Sequence, residues 1–381
     1  MKIKIFLLTV ILLLFVITGS GIYFVFRQMN IPVKTNPIIP TYDKYNYGSA
    51  DTAKIVDFGT QPNSIFTSES LFHDRILQEQ LAAEGWKLRE HRYRNGYDMI
   101  PYTDGRLDVM VLGDIPALVA IDKYKIGIFA VCRQGYNTII ANRRLTPSEL
   151  KGLRVGYSPN TTAHFTLDSA LQSVNLTIND IISVPMTPDV MEAALHNHKV
   201  DAIVSWEPTS SRILTIKSYS AISTSYGFSY IAINLDFAAS HPNLQKAILS
   251  AVVRATKWAR LNEENIRTNL LWDRKAAIIF FGYSPVEANA KWINLLRKET
   301  IDNPSFPMLP LNFNDEEGLL HQQFKFLKKN NILPISAEWK KNSDRFNIQF
   351  LPEVIKESKI WQIDSFDYAT EKLYQEKESV Q

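Results

Sequence analysis

The chain has 381 residues, 45% hydrophobic and 21% charged, with a formal net charge of +3. That length allows two domains with cores of their own, and the composition excludes large-scale disorder. The charge excess belongs to Lys2, Lys4 and Arg27; the 42 basic residues less these three leave 39 against 39 acidic ones, which excludes an electrostatic footprint for nucleic acid.

Met1-Lys-Ile-Lys4 precedes an apolar run from Ile5 to Phe26, interrupted by Thr9 and Thr18-Gly-Ser-Gly21. As a helix this run reaches across the roughly 30 Å hydrocarbon layer of a bilayer. Two readings compete: a signal peptide cleaved near Gly19 or Gly21, or an uncleaved transmembrane helix over residues 1–27 with Tyr23 and Arg27 at the interface. The apolar stretch Ile22 to Phe26 beyond the small residues favours the second. Lysines on the short leading side place residue 28 onward outside the cytoplasm. The expected location is thus the cytoplasmic membrane, single-pass, with the rest of the chain in the periplasm or extracellular space. Residues 28–53, with Pro32, Pro37, Pro40 and Gly48, read as a linker.

From Lys54 short apolar strands alternate with amphipathic helices, the pattern of an α/β fold with mostly parallel sheets. Strands are expected at 54–58, 107–112, 126–131 and 137–141, and helices at 68–83 and 115–121, the latter with Pro116 in its first turn. Thr146-Pro-Ser-Glu149 carries a capping-box pattern. The arrangement then begins again: strands at 153–156, 181–184, 200–204 and 229–235, and helices at 163–174, 188–197 and 242–262. The remainder to about 328 reads as mostly helical. Beyond it lies a mixed polar tail in which Trp361 and Phe366 are candidates to pack back on the body. Cys132, the single cysteine, falls in an apolar run and reads as a buried small hydrophobe; there is no cysteine framework for a disulfide or a metal.

Two junctions share one cadence. Gly105-Arg-Leu-Asp-Val-Met-Val-Leu-Gly-Asp-Ile-Pro116 and His198-Lys-Val-Asp-Ala-Ile-Val-Ser-Trp-Glu-Pro208 each run from a turn through an Asp and a buried strand to a polar loop with an acid and a proline. Ligands of open α/β sheets bind outside the carboxyl ends of strands, where both loops fall. Asp108 and Asp201, which precede the strands, read as structural turn residues.

Four segments in order carry a resemblance: Gly105 to Leu118, Leu145 to Gly156, Ser158-Pro-Asn-Thr-Thr-Ala-His-Phe165 and Val200 to Pro208. Together, across about residues 54–350, they resemble the nitrate/sulfonate/taurine-type periplasmic binding proteins of ABC importers, a family that also includes proteins for thiamine-precursor pyrimidines. The resemblance implies a type II two-lobed fold, each lobe a mostly parallel sheet flanked by helices. Residues 54–137 with 237–350 would form lobe one and 138–236 lobe two, joined by two crossing strands and closing on a ligand by hinge motion, with 351–381 a polar C-terminal tail. It implies a small-molecule ligand, permease and ATPase subunits as partners, and no cofactor.

Helix starts expose unpaired N–H groups and a positive dipole end, which suit a carboxylate, sulfonate or nitrate. Asn160, Thr161, Thr162 and His164 surround one such start; the alternative reading of Thr161 or Thr162 is that it simply caps the helix, which is compatible with a ligand contact. Gly113, Asp114 and Ile115 surround the opposing start, with Asp114 either a ligand contact or the N-cap. Gln61 and Ser64 follow the first strand, where the resemblance places a polar ligand residue. Trp206 either stacks on the ligand or closes the second core; Glu207 either pairs with a cation in the cleft or holds the hinge. Arg106 and Arg154 precede or sit within strands, so the pocket is expected to be uncharged or mildly acidic. His196 and His198 read as solvated. No GxSxG, Walker A or GxGxxG motif is present, so catalysis through His164 or Glu207 ranks below binding. A sensor or partner-docking module of the same fold is the alternative to transport.

Overall fold

The computed structural model describes residues 42–48, 54–61, 65–281, 289–301, 307–309, 315–346 and 350–373. The expected span 1–27, most of the linker and Ser64 lie outside them; among the described residues no helix is long and apolar enough to cross a membrane. In chain order the elements are β1 (Lys54–Thr60), α1 (Ile65–His73), α2 (Arg75–Ala83), β2 (Trp86–Arg92), α3 (Gly96–Met99), β3 (Val109–Gly113), α4 (Asp114–Lys123) and β4 (Ile126–Ala141). They continue with β5 (Arg154–Tyr157), α5 (Thr162–Gln172), β6 (Ile182–Pro185), α6 (Pro188–His196), β7 (Ala202–Trp206), α7 (Thr209–Ile213) and β8 (Ser220–Asn234). The last stretch holds α8 (Leu235–Ser240), α9 (Pro242–Leu261), α10 (Glu263–Phe281), α11 (Ala290–Leu296), α12 (Leu319–Lys329), α13 (Trp339–Ser343), α14 (Leu351–Lys356) and α15 (Ser358–Trp361).

The strands form one mixed sheet in the order β2-β1-β3-β8-β4-β7-β5-β6. Its flanks are parallel: β1 pairs with β2 and β3, and β5 with β6 and β7. Its middle is the long antiparallel pair β4 and β8, which runs from one flank to the other. β8 pairs with β3 over Ser229–Ile233, and β4 pairs with β7 over Asn137–Ala141. Parallel strands need cover on both faces, and alternate residues supply it. In β3, Val109 and Val111 join the cluster of Leu71, Leu77 and Ile248, while Met110 and Leu112 join that of Leu118 and Phe324. In β7, Ala202 and Val204 pack with Leu167 and Leu171 of α5, and Ile203 packs with Met191 and Leu195 of α6.

Three expected elements change. The helix expected at 68–83 breaks at Asp74. Its backbone is extended (φ −76, ψ 105) and its carboxylate accepts from Leu77 N, capping α2, and pairs with the buried Arg254 at 2.8 Å. The two strands expected at 126–131 and 137–141 are one, because Arg133-Gln-Gly-Tyr136 continues the ladder with β8, with irregularities before it near Ile128 and Val131. The strand expected to begin at Ser229 begins at Ser220. The capping box at Thr146 and Glu149 is present and heads a single 3₁₀ turn. Cys132 is buried, and burial pushes its thiol up to about 12; His196 and His198 are exposed.

Both polar ends of the described chain are fastened to the sheet of β1–β3. Tyr42, Tyr45 and Tyr47 pack with Tyr93 and Tyr102; Gly48 N donates to Asp57, which also binds Arg89 and His91. At the other end Leu351, Val354, Ile363 and Ala369 are buried. Lys372 is held between Glu69 (2.9 Å) and Glu90 (2.6 Å). Asp108 and Asp201 anchor strand starts: Asp108 accepts from Asp57 N, and Asp201 from Arg154 N and its guanidinium.

Candidate functional site

The carboxyl ends of four strands and the middle of the crossing pair meet at one cleft of about 90 Å³. β1 delivers Gln61, β3 delivers Gly113, and β7 delivers Trp206 and Glu207; the loop after β5 delivers Thr161 and Thr162. Asn95 and Gly96 come from the start of α3, and Pro116 from α4. The crossing strands contribute Arg133, Gly135, Tyr136 and Asn137 from β4 and Gly227, Phe228 and Ser229 from β8. α4 and α5 therefore begin at the cleft, with Gly113 and Thr161 as their N-cap residues in extended conformation. The first-turn N–H groups of such helices have no partner within the helix, and the dipole end favours negative charge.

Six of the expected residues line this cleft: Gln61, Gly113, Thr161, Thr162, Trp206 and Glu207. Gln61 is fixed by donating to Val111 O at 3.0 Å. Thr161 uses its hydroxyl on Ser158 O at 2.8 Å and makes no side-chain cap bond. The Glu207 carboxylate accepts from Ser211 N and Oγ, both at 2.9 Å. Trp206 lines the cleft and also packs on the α5 cluster, so its two readings are compatible.

Four others sit elsewhere. Asp114 is wholly buried behind the wall, and Gly113, not Asp114, is the N-cap. Its carboxylate accepts from Tyr230 OH at 2.6 Å, Phe228 N at 2.9 Å and Gln323 Nε2 at 3.2 Å. Gly227 is required beside it: a Cβ there would lie 2.6 Å from Asp114 Oδ2. Ile115 is fully buried in the core. Asn160 takes a left-handed conformation (φ 60) that Asn tolerates, and its N–H donates to His164 Nδ1 at 3.3 Å. The His164 ring packs on Tyr157 and Phe326 instead of the cleft, and burial lowers its pKa.

The cleft also holds a guanidinium that the sequence reading did not place there, because Arg133 lines it. Its side chain is 10% exposed and its guanidinium is gripped by Glu299, from the π-helical turn Arg297–Ile301. Burial works against the Arg133 charge, and the Glu299 carboxylate outweighs it and holds the guanidinium above its usual range. Burial in turn pushes Glu299 up, against the pull of Arg133. Lys298 lies 4.0 Å from the centre of the Tyr136 ring. Asp114 is pushed up to about 6 by burial, opposed by its three hydrogen bonds. Among the described residues no group of three or more His, Cys, Asp or Glu is placed to hold a metal.

The residues missed from the sequence lie mainly on the crossing strands. Gly135 and Gly227, which stand opposite each other in the ladder, were the available signal: two glycines where the backbone itself lines a ligand cleft.

Residues 127–270 match the NMT1-like family. No curated protein matches the chain. The periplasmic aliphatic sulphonate binding protein SsuA from Escherichia coli is similar, with a TM-score of 0.61 at 18% identity over 76% of this chain and 96% of that one. The alkanesulfonate-binding protein SsuA from Xanthomonas axonopodis pv. citri, bound to MOPS, gives 0.59 at 18% identity over 78% and 99%. The periplasmic nitrate-binding protein NrtA from Synechocystis PCC 6803 gives 0.55 at 13% identity over 84% and 93%. At such identities the likeness establishes the fold: mixed α/β, of the periplasmic-binding-protein kind.

Proposed function

We propose that a chain with this fold, and with two helix starts facing one cleft, is an extracytoplasmic solute-binding protein of an ABC importer. It captures a small polar ligand without changing it chemically. The observation that carries this reading is the placement of Gly113 and Thr161, N-caps of α4 and α5, on one cleft beside the crossing strands. Convergent backbone donors of this sort suit a small anion, and the similar structures carry sulfonate and nitrate in their descriptions. A sulfonate, a nitrate-like anion and a neutral pyrimidine are the ligand classes to test. Residues 54–137 with 237–350 form one closing body and 138–236 the other, pivoting on β4 and β8. The apolar run Ile5–Phe26 serves as the membrane tether, with permease and ATPase subunits as partners.

His164, packed against aromatic rings away from the cleft, gives no support to general-base chemistry there. The test is thermal unfolding of the full chain in detergent with methanesulfonate, taurine, nitrate and an aminopyrimidine. At one hundred times its Kd a ligand adds about 2.7 kcal/mol of stability, so a true ligand raises the midpoint by several degrees. Stabilisation by none of the four overturns the reading.

A further inference from the structure

The Nε and Nη2 edge of the Arg133 fork is already full. Glu299 Oε2 accepts from Nε and Oε1 from Nη2, each at 2.9 Å, and Nη2 also donates to Glu207 O at 3.1 Å. This is the geometry in which arginine holds a carboxylate, sulfonate or phosphate from outside. Here the acid arrives from 166 positions along the same chain. The turn that carries it is secured by Ile301, packed with Ala259, Ile266 and Leu270. The guanidinium rests on Gly135, where a Cβ would lie 3.5 Å from Nε, and both residues line the cleft.

The remaining charges nearby are also engaged. Glu207 is held by Ser211, and its charge acts on Lys291, which donates to Ser211 O. Asp114 sits at the start of α4 with three donors of its own. Each helix start supplies the equivalent of about half a positive charge, and Asp114 takes up part of the α4 share. With Arg133 cancelled, the two helix starts together offer at most about one positive charge, which suits a ligand with no more than one negative charge and not two.

We infer that Glu299 is a charge selector: an internal carboxylate that occupies the cleft's guanidinium, leaves recognition to the helix starts, and so admits neutral or singly charged ligands while rejecting doubly charged ones. This rests on the binding function proposed above and deepens it. Glu299 acts through Arg133 and is a specificity-determining residue, not a ligand contact.

The test is isothermal titration of the full chain in detergent with inorganic sulfate and with methanesulfonate, at constant ionic strength. It uses the wild type, Glu299→Gln, and the double variant Arg133→Met with Glu299→Leu. Glu299→Gln gains sulfate affinity roughly tenfold or more over the wild type, since an uncancelled charge at short range in a partly dry site is worth at least that; its gain for methanesulfonate is smaller. A buried ion pair can be exchanged for apolar residues with little loss of fold, so the double variant stays folded and, with no guanidinium left to free, gains no sulfate affinity over the wild type, a comparison that stands even where the single variant does not fold. Unchanged sulfate affinity in Glu299→Gln, or a roughly tenfold gain in sulfate affinity in the double variant, overturns the inference. A wild type that binds no methanesulfonate counts against the binding function alone, because the sulfate comparison still reads the selector.

Discussion

The carboxylate of Asp114 has no solvent exposure and three hydrogen-bond donors, two of them from β8 on the far side of the β3 ladder. It ties the cleft-lining segment Gly227-Phe-Ser229 to the first turn of α4. Its pKa in the folded chain, about 6, lies above the roughly 3.9 of an unfolded Asp. As pH falls the folded state therefore takes up the proton first. The cost of the buried charge is complete above pH 6 and relieved as pH falls toward 4. A difference of about two units corresponds to about 3 kcal/mol. Asp114→Asn removes this titration, so urea-denaturation stability should fall between pH 4 and 6 more steeply in the wild type than in the variant. Equal slopes would show that the site is wetter than its burial indicates. The sequence could not reveal this role, since an acid before Ile-Pro at a helix start reads as a cap, and its real partners lie more than a hundred residues away.

Among the elements, those with a buried apolar period were legible and those shaped by the cleft were not. β3, β7, α5 and α9 follow from Val109–Leu112, Ala202–Val204, Ala163–Leu171 and Leu244–Ala259, whose side chains are buried in the expected faces. Arg133-Gln-Gly-Tyr136 looks like a turn because it is polar and holds a glycine. It is polar because it passes a cleft, and it stays extended because β8 supplies its ladder. Ser220 to Ser225 were missed for the same reason: the backbone pairs with β4 while the side chains are only partly covered. The C-terminal segment is another case. It reads as a polar tail, yet Lys372 is 8% exposed at its side chain and bridges Glu69 and Glu90, which are 5% and 9% exposed, with Arg92 a second cation on Glu90. Lys372→Met would leave these carboxylates short of a cation inside the body, a class of change that costs about 3–5 kcal/mol. The expected outcome is a large drop in urea midpoint that Glu69→Gln and Glu90→Gln together reverse in part. A loss below about 1 kcal/mol, the scale of an exposed pair, would mean that the segment merely rests on the surface.

For the whole molecule, the cadence recurs where Asp108 and Asp201 each precede a strand of a parallel flank, β3 on one side of the sheet and β7 on the other. What the cadence did not announce is how these flanks are wired into one sheet. β8 lies between β3 and β4, two strands that follow each other directly in the chain. Its ladder with β3 joins Val109 to Ile233. The flank of β5, β6 and β7, by contrast, draws only on residues 154–206.

That wiring bears on the order in which the protein is made. Closing a long loop costs entropy before any contact repays it, and chains rich in distant pairings fold slowly. The flank at 154–206 can assemble from a contiguous stretch, while β1–β3 must keep a place open until β8 arrives and Lys372 reaches Glu69. Pulse-labelled hydrogen exchange during refolding should therefore protect amides of Val155–Tyr157 and Ala202–Trp206 before those of Val56–Phe58 and Val109–Leu112. Simultaneous protection would mean that the halves fold as one cooperative unit. The flank of β5–β7 would thus form before that of β1–β3. The cleft, built on β4 and β8, would be the last surface to take shape.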